Sequence, residues 1–355
     1  MTAPTIERIE VRRIDVPLAR AWAADVRAVS VLEVVLHDSD GGVGRGFSWT
    51  PSIGASAVAA LLRDDIARFA VGRPAEPGPL WQAAWEHLHE AGGAGITTIA
   101  LAGLDLALWD LAGRRADRPV ADLLGRRAPG QPVYGSGVNL HYSQEELIEQ
   151  AWRWTARGLT AAKIKVGRPD LAEDVDRVAA VREVLGPDRA LMVDANQRWD
   201  LRRAIAAAEA LRPFGLTWLE EPLRADDTAG YVALRCEAGI PIAQGENAHT
   251  IHRFRDLIDA GAVDVVQPNI VRVGGITPFL AIAALADQRG VEVAPHLLPE
   301  LSAQLAVTRD RPTWVEDVEG ARFDELDVLA APTGLRVAHG LAVPGSRPGL
   351  GIAFA

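Results

Sequence analysis

The sequence predicts an α/β protein: a (β/α)₈-type TIM barrel with an N-terminal α+β capping domain that the C-terminal tail completes. Three observations carry this prediction. From Val133 onward a short apolar strand, a polar link and an amphipathic helix recur eight times. The ends of those strands are nearly all polar or charged, the pattern of a catalytic barrel face. Before and after this stretch the texture changes to meander, helices and turns.

Taken in order, IERIEVRRIDVPL and SVLEVVLHDSDGGVGRGFSW alternate apolar and polar residues around a DSDGG turn, which reads as a meander. Three helices follow: SAVAALLRDDIARFAVG, PLWQAAWEHLHEA and ITTIALAGLDLALWDLAGRRA, the last apolar almost all round and therefore buried. LLGRRAPGQ marks a boundary, so the capping part covers 1–125, the barrel 126–329 and the returning tail 330–355. The barrel strands are PVYGSGV, AAKIKV, ALMVDAN, LTWLEEP, PIAQGEN, VDVVQPN, VEVAPH and TWVED. Among the intervening helices are SQEELIEQAWRWTARG, LAEDVDRVAAVREVLG, LRRAIAAAEALRP and ITPFLAIAALADQRG. A doubly wound sheet competes with this reading, but no G-x-G-x-x-G follows the first strand.

Bulk properties narrow the function. A net charge of −10 argues against a nucleic-acid surface. One cysteine, Cys236, excludes a disulfide framework and fits a reducing compartment. The opening residues lack a signal pattern and no run approaches eighteen apolar residues, so a cytoplasmic protein without membrane contact is expected. A symmetric homo-oligomer is the default expectation.

The chain has 37 Lys plus Arg, and lysine occurs only at 163 and 165. Arginine stays charged at any accessible pH, whereas a crowded or desolvated lysine can lose its proton. On a strand, residues i and i+2 point to one side, so each ammonium disfavours the charge on the other. Solvated edge-strand lysines are the bland alternative. The isolation of the pair favours a tuned base.

The remaining strand ends carry Asp194 and Asn196, Glu220 and Glu221, Glu246 and Asn247, Asn269, His296 and Glu316. Helix capping would explain some of them, but not a carboxylate on three consecutive strands. Asp194, Glu220 and Glu246 recur at a spacing of 26 residues, one βα unit each. Three carboxylates side by side repel unless a hard cation relieves them, and oxygen ligands with open positions suit one Mg²⁺ per site, with Mn²⁺ a substitute.

KIKVG, MVDANQRWD, WLEEP, QGEN, PNIVRVGG and APHLLPELSA together resemble the enolase superfamily, specifically the mandelate racemase branch of the mandelate racemase / muconate lactonizing enzyme family. The resemblance runs over the whole chain, including the capping domain and a tail ending PGLGI. It implies Mg²⁺ on Asp194, Glu220 and Glu246, with Lys165 as the general base. Lys163 would bind the substrate carboxylate and depress the pKa of Lys165. His296 would be the acid/base on the opposite face, and Glu316 a hydrogen-bonding group at the substrate carboxylate. The shared step is removal of a proton α to a carboxylate, with Mg²⁺ holding the enediolate.

One position departs from the pattern. Where that branch usually places an Asp against the histidine, this chain has Asn269, which can orient His296 but brings no charge to an imidazolium. Symmetric racemisation, which needs two competent bases, is thereby disfavoured. The leading expectation is a lyase that dehydrates an acid sugar, aldonic or aldaric. A sugar-lactone cycloisomerase comes next, because its carboxylate leaving group needs little protonation. A racemase or epimerase is third, and a noncatalytic sugar-acid binding protein would require a broken triad or base. Asn196, Asn269, Trp22 and Trp49 are candidate substrate contacts, with Arg20 and Arg27 as further readers of the distal end. Lids are expected at LARAWAADVR (18–27) and FSWTPSIG (47–54). Cys236 reads as a helix core thiol, His249 and His252 as surface residues, and Trp81 with Trp85 as core packing.

Overall fold

The structure is a computed structural model, and it describes residues 4–22, 26–51 and 53–355. Residues 23–25 and 52, parts of the two expected lids, lie outside the described residues. The meander forms as β1 (Ile6–Pro17), β2 (Ala28–Asp38) and β3 (Val43–Thr50), a three-stranded antiparallel sheet. Its tight turn is set by Asp38, whose Oδ1 accepts from Asp40 N at 3.0 Å and Gly42 N at 2.8 Å. The sheet lies on the helix Ile96–Arg115 at backbone contact. A Cβ on Gly44 or Gly46 would come within 2.1 Å of Ala107 O or 2.3 Å of Ala107 N. That helix is long and apolar enough to cross a bilayer, and 78% of its apolar window is buried inside the fold.

All eight barrel strands are present. They are β4 (Gln131–Ser136), β5 (Ala161–Lys165), β6 (Ala190–Asp194), β7 (Leu219–Glu220), β8 (Ile242–Gln244), β9 (Val265–Val266), β10 (Glu292–Val293) and β11 (Val315–Val318). Parallel ladders run from β11 through β4 in sequence to β10. Five of the barrel helices carry their own side-chain cap: Ser143 with Glu146 as a capping box, then Asp170, Asp200, Asp227 and Thr250, while those starting at Ile276 and Pro299 follow Gly275 and Leu298 without one. The strand-end carboxylates Asp194, Glu220 and Glu246 therefore cap no helix.

The tail divides its contacts. A hairpin of β12 (Arg336–Ala338) and β13 (Leu341–Val343) pairs antiparallel with the start of β4. The last residues return to the capping lobe, where Leu350 N donates to Asp110 Oδ1 at 2.7 Å and Phe354 packs edge-on to Phe47 at 5.5 Å. Cap and barrel are joined by a buried carboxylate. Asp105 accepts from Thr277 N at 2.9 Å and from Thr277 Oγ1 at 2.5 Å, while Trp81 Nε1 donates to Gly274 O at 2.7 Å.

Two expectations are corrected. Cys236 is exposed, because it falls on the outer side of the helix Thr228–Ala238, whose inner side is Tyr231, Leu234 and Ala238. His249 is part-buried against Arg272 O at 3.2 Å, since the chain after Glu246 turns back toward the capping helix. His252 is exposed, and Trp81 and Trp85 stack at 6.0 Å.

A buried carboxylate away from the barrel mouth gives the fold a pH signature. Glu300 Oε1 accepts from Phe323 N at 2.7 Å and Oε2 has no partner, so burial pushes the group up to about 7. The folded state then holds a proton that the unfolded chain releases above 4.5. Its destabilising effect is absent below that value, grows as pH rises to about 7 and is constant beyond. Glu300→Gln, a mimic of the protonated acid, should gain roughly 3 kcal/mol on the wild type between pH 4.5 and 8. Denaturant titrations at both pH values measure this, and a pH-independent difference would contradict it.

Candidate active site

Strand register places the three carboxylates together. Lys165 pairs with Asp194 across β5 and β6, and Asp194 with Glu220 across β6 and β7. Glu246 comes two residues after β8 through Gly245, whose φ of +149° and approach to Gln267 N (2.7 Å from a built Cβ) admit only glycine. Ligand oxygens of Asp194, Glu220 and Glu246 lie within 4.8 Å of one another. They are 0%, 0% and 8% exposed.

Both lysines and His296 are bound to this cluster. Lys163 Nζ lies 2.6 Å from Glu220, 2.9 Å from Glu316 and 3.8 Å from Asp194. Lys165 Nζ donates to Asp194 Oδ2, and its backbone N–H is held by Asn139 Oδ1 at 2.8 Å. Trp218 Nε1 and Gln267 Nε2 donate to Glu220 Oε2 at 3.0 and 2.6 Å. Glu221, the second acid of WLEEP, is buried too and accepts from Asn247 Nδ2 and Gln197 Nε2. Five buried carboxylates (Asp194, Glu220, Glu221, Glu246 and Glu316) thus face two lysines. The excess shows in Glu220, which burial pushes up to about 7 against the pull of Lys163. This is a donor set of hard oxygens with surplus negative charge, and it fits a divalent cation such as Mg²⁺.

The lysine pair differs in detail from expectation. Burial and Lys163 both press Lys165 toward neutrality, but the carboxylates, Asp194 foremost, prevail and raise it. Lys163, at 1% exposed, is driven well above its ordinary value by Glu220 and Glu316 despite burial. It is committed to protein carboxylates beneath the cavity. Glu316 is likewise committed. It pairs with Lys163 through Oε1, accepts from Leu297 N at 2.9 Å through Oε2, and Lys163 brings it down to about 2 despite burial.

His296 is placed by Asn269. The amide oxygen of Asn269 accepts from Val271 N and Arg272 N, both at 3.1 Å, so its NH₂ is the group 3.1 Å from His296 Nδ1. Nδ1 is therefore an acceptor and the ring proton sits on Nε2, 2.8 Å from Glu246. Burial opposes a second proton, and the Glu246 and Glu316 carboxylates favour it and prevail. The Asn269 amide, aimed at Nδ1, works against them.

A cavity of about 350 Å³ opens above this cluster. Lys165, Glu246 and His296 line it with Asn196, Trp22 and Trp49, the two indoles 6.1 Å apart. The structure thus brings the four candidate chemical side chains, the triad, Asn196 and both tryptophans to one mouth, with Asn269 behind His296. Arg20 is not among them, being bound to Glu146 at 3.1 Å and stacked over Tyr142. Arg27 is exposed and does not line the cavity. Sequence reasoning missed Arg198 and Arg272, which do line it. Their signal was position: each follows a strand end already marked by Asp194–Asn196 or Asn269.

Comparison with known proteins agrees with this geometry. Residues 5–125 match the N-terminal domain of the Mandelate racemase / muconate lactonizing enzyme family, and residues 146–355 match the Enolase C-terminal domain-like family. The 3,6-anhydro-alpha-L-galactonate cycloisomerase of Streptomyces coelicolor is 38% identical over 98% of this chain and 96% of its own. A racemase structure from Streptomyces coelicolor with bound magnesium superposes with a TM-score of 0.93 at 37% identity, covering 98% and 97% of the two chains. The L-talarate dehydratase of Polaromonas sp., complexed with Mg and L-glucarate, gives 0.89 at 34% identity over 99% and 96%.

Magnesium should raise the thermal unfolding temperature by mass action, with roughly 2.7 kcal/mol of stabilisation at a hundredfold excess over Kd. Mn²⁺ should substitute, and Glu246→Gln should abolish the response. A melting temperature indifferent to both ions would contradict the assignment.

Proposed function

This chain belongs to the mandelate racemase / muconate lactonizing enzyme family, and we propose that it removes the α-proton of an acid sugar with Lys165 and eliminates a β-oxygen. The observation that carries this reading is Lys165 lining one cavity together with Glu246 and His296, hard against the carboxylate triad. Held by Asp194, Glu220 and Glu246, Mg²⁺ would supply positive charge to the substrate carboxylate and take up the carboxylate charge that otherwise keeps Lys165 protonated. Lys163, buried behind the cavity wall, and Glu316, which lines it, hold the cluster in register. Lys165, fixed through its backbone by Asn139, presents the amine that accepts the proton, a role closed to arginine.

His296 offers Nε2–H to the oxygen that departs, which serves dehydration of an aldonate or aldarate, the leading form of the reaction. A second form is supported by the Asn269 amide on Nδ1. It restrains the imidazolium, and a leaving carboxylate needs only a hydrogen bond, so opening of a sugar lactone suits this histidine as well. Racemisation ranks last because Nε2, carrying the ring proton, has no lone pair with which to act as a second base.

Lys165→Arg should retain fold and charge yet lose α-deuterium exchange by at least about 100-fold. Exchange near the wild-type rate, followed by NMR in D₂O, would place the base elsewhere. Asn269→Asp would accept from Nδ1–H and free Nε2, so exchange of the opposite epimer should emerge in the variant and be negligible in the wild type. Rapid exchange of both epimers by the wild type would return racemisation to the lead.

A further inference from the structure

A second cavity of about 610 Å³ adjoins the first and shares Trp22, Leu140 and Arg198 with it. It opens outward between the cap residue Ala21 and the loops following β4 and β5, reaching His141 and Arg168. Arg198 lies on the wall of both volumes, and Lys165 on that of the inner one, so a molecule that reaches from Lys165 into the outer cavity passes this arginine.

Arg198 differs from its neighbours. Arg168 is tied to Glu173 at 3.1 Å and to Tyr142 O at 2.8 Å, and Arg272 to Asn247 and to Glu246 O. Arg198 is exposed and makes no side-chain hydrogen bond or ion pair among the described residues. Its stem nonetheless has a built seat. Gly167 has a φ of +110°, and a Cβ there would lie 2.7 Å from Arg198 Cδ. The glycine of KIKVG thus lets the arginine cross directly over the strand that carries the base. No carboxylate lines the outer cavity among the described residues. His141 on its wall is held below its ordinary value by burial first and then by Arg20, Arg168 and Arg177, against the opposing pull of Glu146.

We infer that Arg198 reads a second carboxylate, and that the preferred substrate is a diacid sugar or its lactone rather than a monoacid. This rests on the proposed elimination and adds to it the chemistry of the substrate's far end. Among the described residues no protein anion competes for this guanidinium, which can form charge-assisted, bidentate bonds to a carboxylate without breaking an existing pair. A terminal hydroxymethyl group, as in an aldonate, would make at most one neutral hydrogen bond there.

The test uses Mg²⁺-loaded full-length enzyme and configuration-matched pairs, each an aldarate and the aldonate that differs only at the terminal carbon. The readout is α-deuterium exchange as kcat/KM. The wild type should prefer the diacid, and Arg198→Gln should lower the diacid-to-monoacid ratio roughly 10- to 100-fold. Arg198→Lys should restore part of the ratio, and circular dichroism with Mg²⁺-induced thermal stabilisation checks folding. Exchange that favours monoacids, or a ratio unchanged in Arg198→Gln while exchange persists, overturns the assignment of Arg198 and leaves the elimination standing. Absence of metal-dependent exchange with every pair overturns the elimination, and this inference with it.

Discussion

Carboxylates cannot be gathered out of water without positive charge to meet them, and the barrel mouth is organised around that constraint. Asp194, Glu220 and Glu246 are the ends of adjacent strands, so the parallel ladder itself forces their oxygens together. Lys163, Lys165 and His296 answer them from the neighbouring strand and from across the barrel. The residues proposed to hold a cation and those proposed to move a proton are therefore one electrostatic system. A charge taken up at Asp194 is felt directly at the Lys165 amine. With Lys165 as the proposed base, this coupling accounts for a lysine rather than an arginine at that position. A guanidinium would neutralise the acids equally well, but it could never accept the proton when that charge is met from elsewhere.

Much of this was legible before any coordinates. The 26-residue recurrence of acids required only that each βα unit have similar length. The lysine pair stood out through composition, and the helix caps Ser143, Asp170 and Asp200 are local signals that survive any tertiary context. What escaped detection depends on distant partners. Whether Arg20 reads substrate or pairs with Glu146 is decided 126 residues away. The tail hairpin on β4 and the outward turn of Cys236 depend on which helix side meets the barrel. The net upward shift of Lys165 reflects the sum over several carboxylates, of which spacing alone gave only the nearest neighbours.

The strand ends also store backbone strain. Asn196 (φ +43°), Gln197 (+62°), Glu221 (+38°), Leu297 (+59°) and Leu298 (+50°) all adopt left-handed conformations without being glycine. Such residues cost of order 1–3 kcal/mol each, so a loop could not sustain them alone. Here the bends follow β6, β7 and β10, and side chains and backbone bonds over-determine them. Gln197 N donates to Glu221 O at 2.7 Å, and Leu297 N to Glu316 at 2.9 Å. Asn196 and His296, at or beside these bends, both line the cavity.

Asn269 shows how little sequence separates reaction outcomes on such a scaffold. With Lys165 as the proposed base, dehydration, lactone opening and racemisation share removal of one proton and diverge only in what the opposite side can give or take. With Asp at 269, Nδ1 would carry the ring proton and Nε2 would be a free base, which suits inversion. With Asn, two backbone N–H groups from Val271 and Arg272 fix the amide oxygen, and the amide nitrogen has no other direction in which to point. Rotating the amide to rescue a basic Nε2 would set its NH₂ against both backbone donors, losing two hydrogen bonds while the one to Nδ1 is merely reversed. On the proposed mechanism it is thus the strand-end turn, rather than the histidine, that favours elimination over inversion.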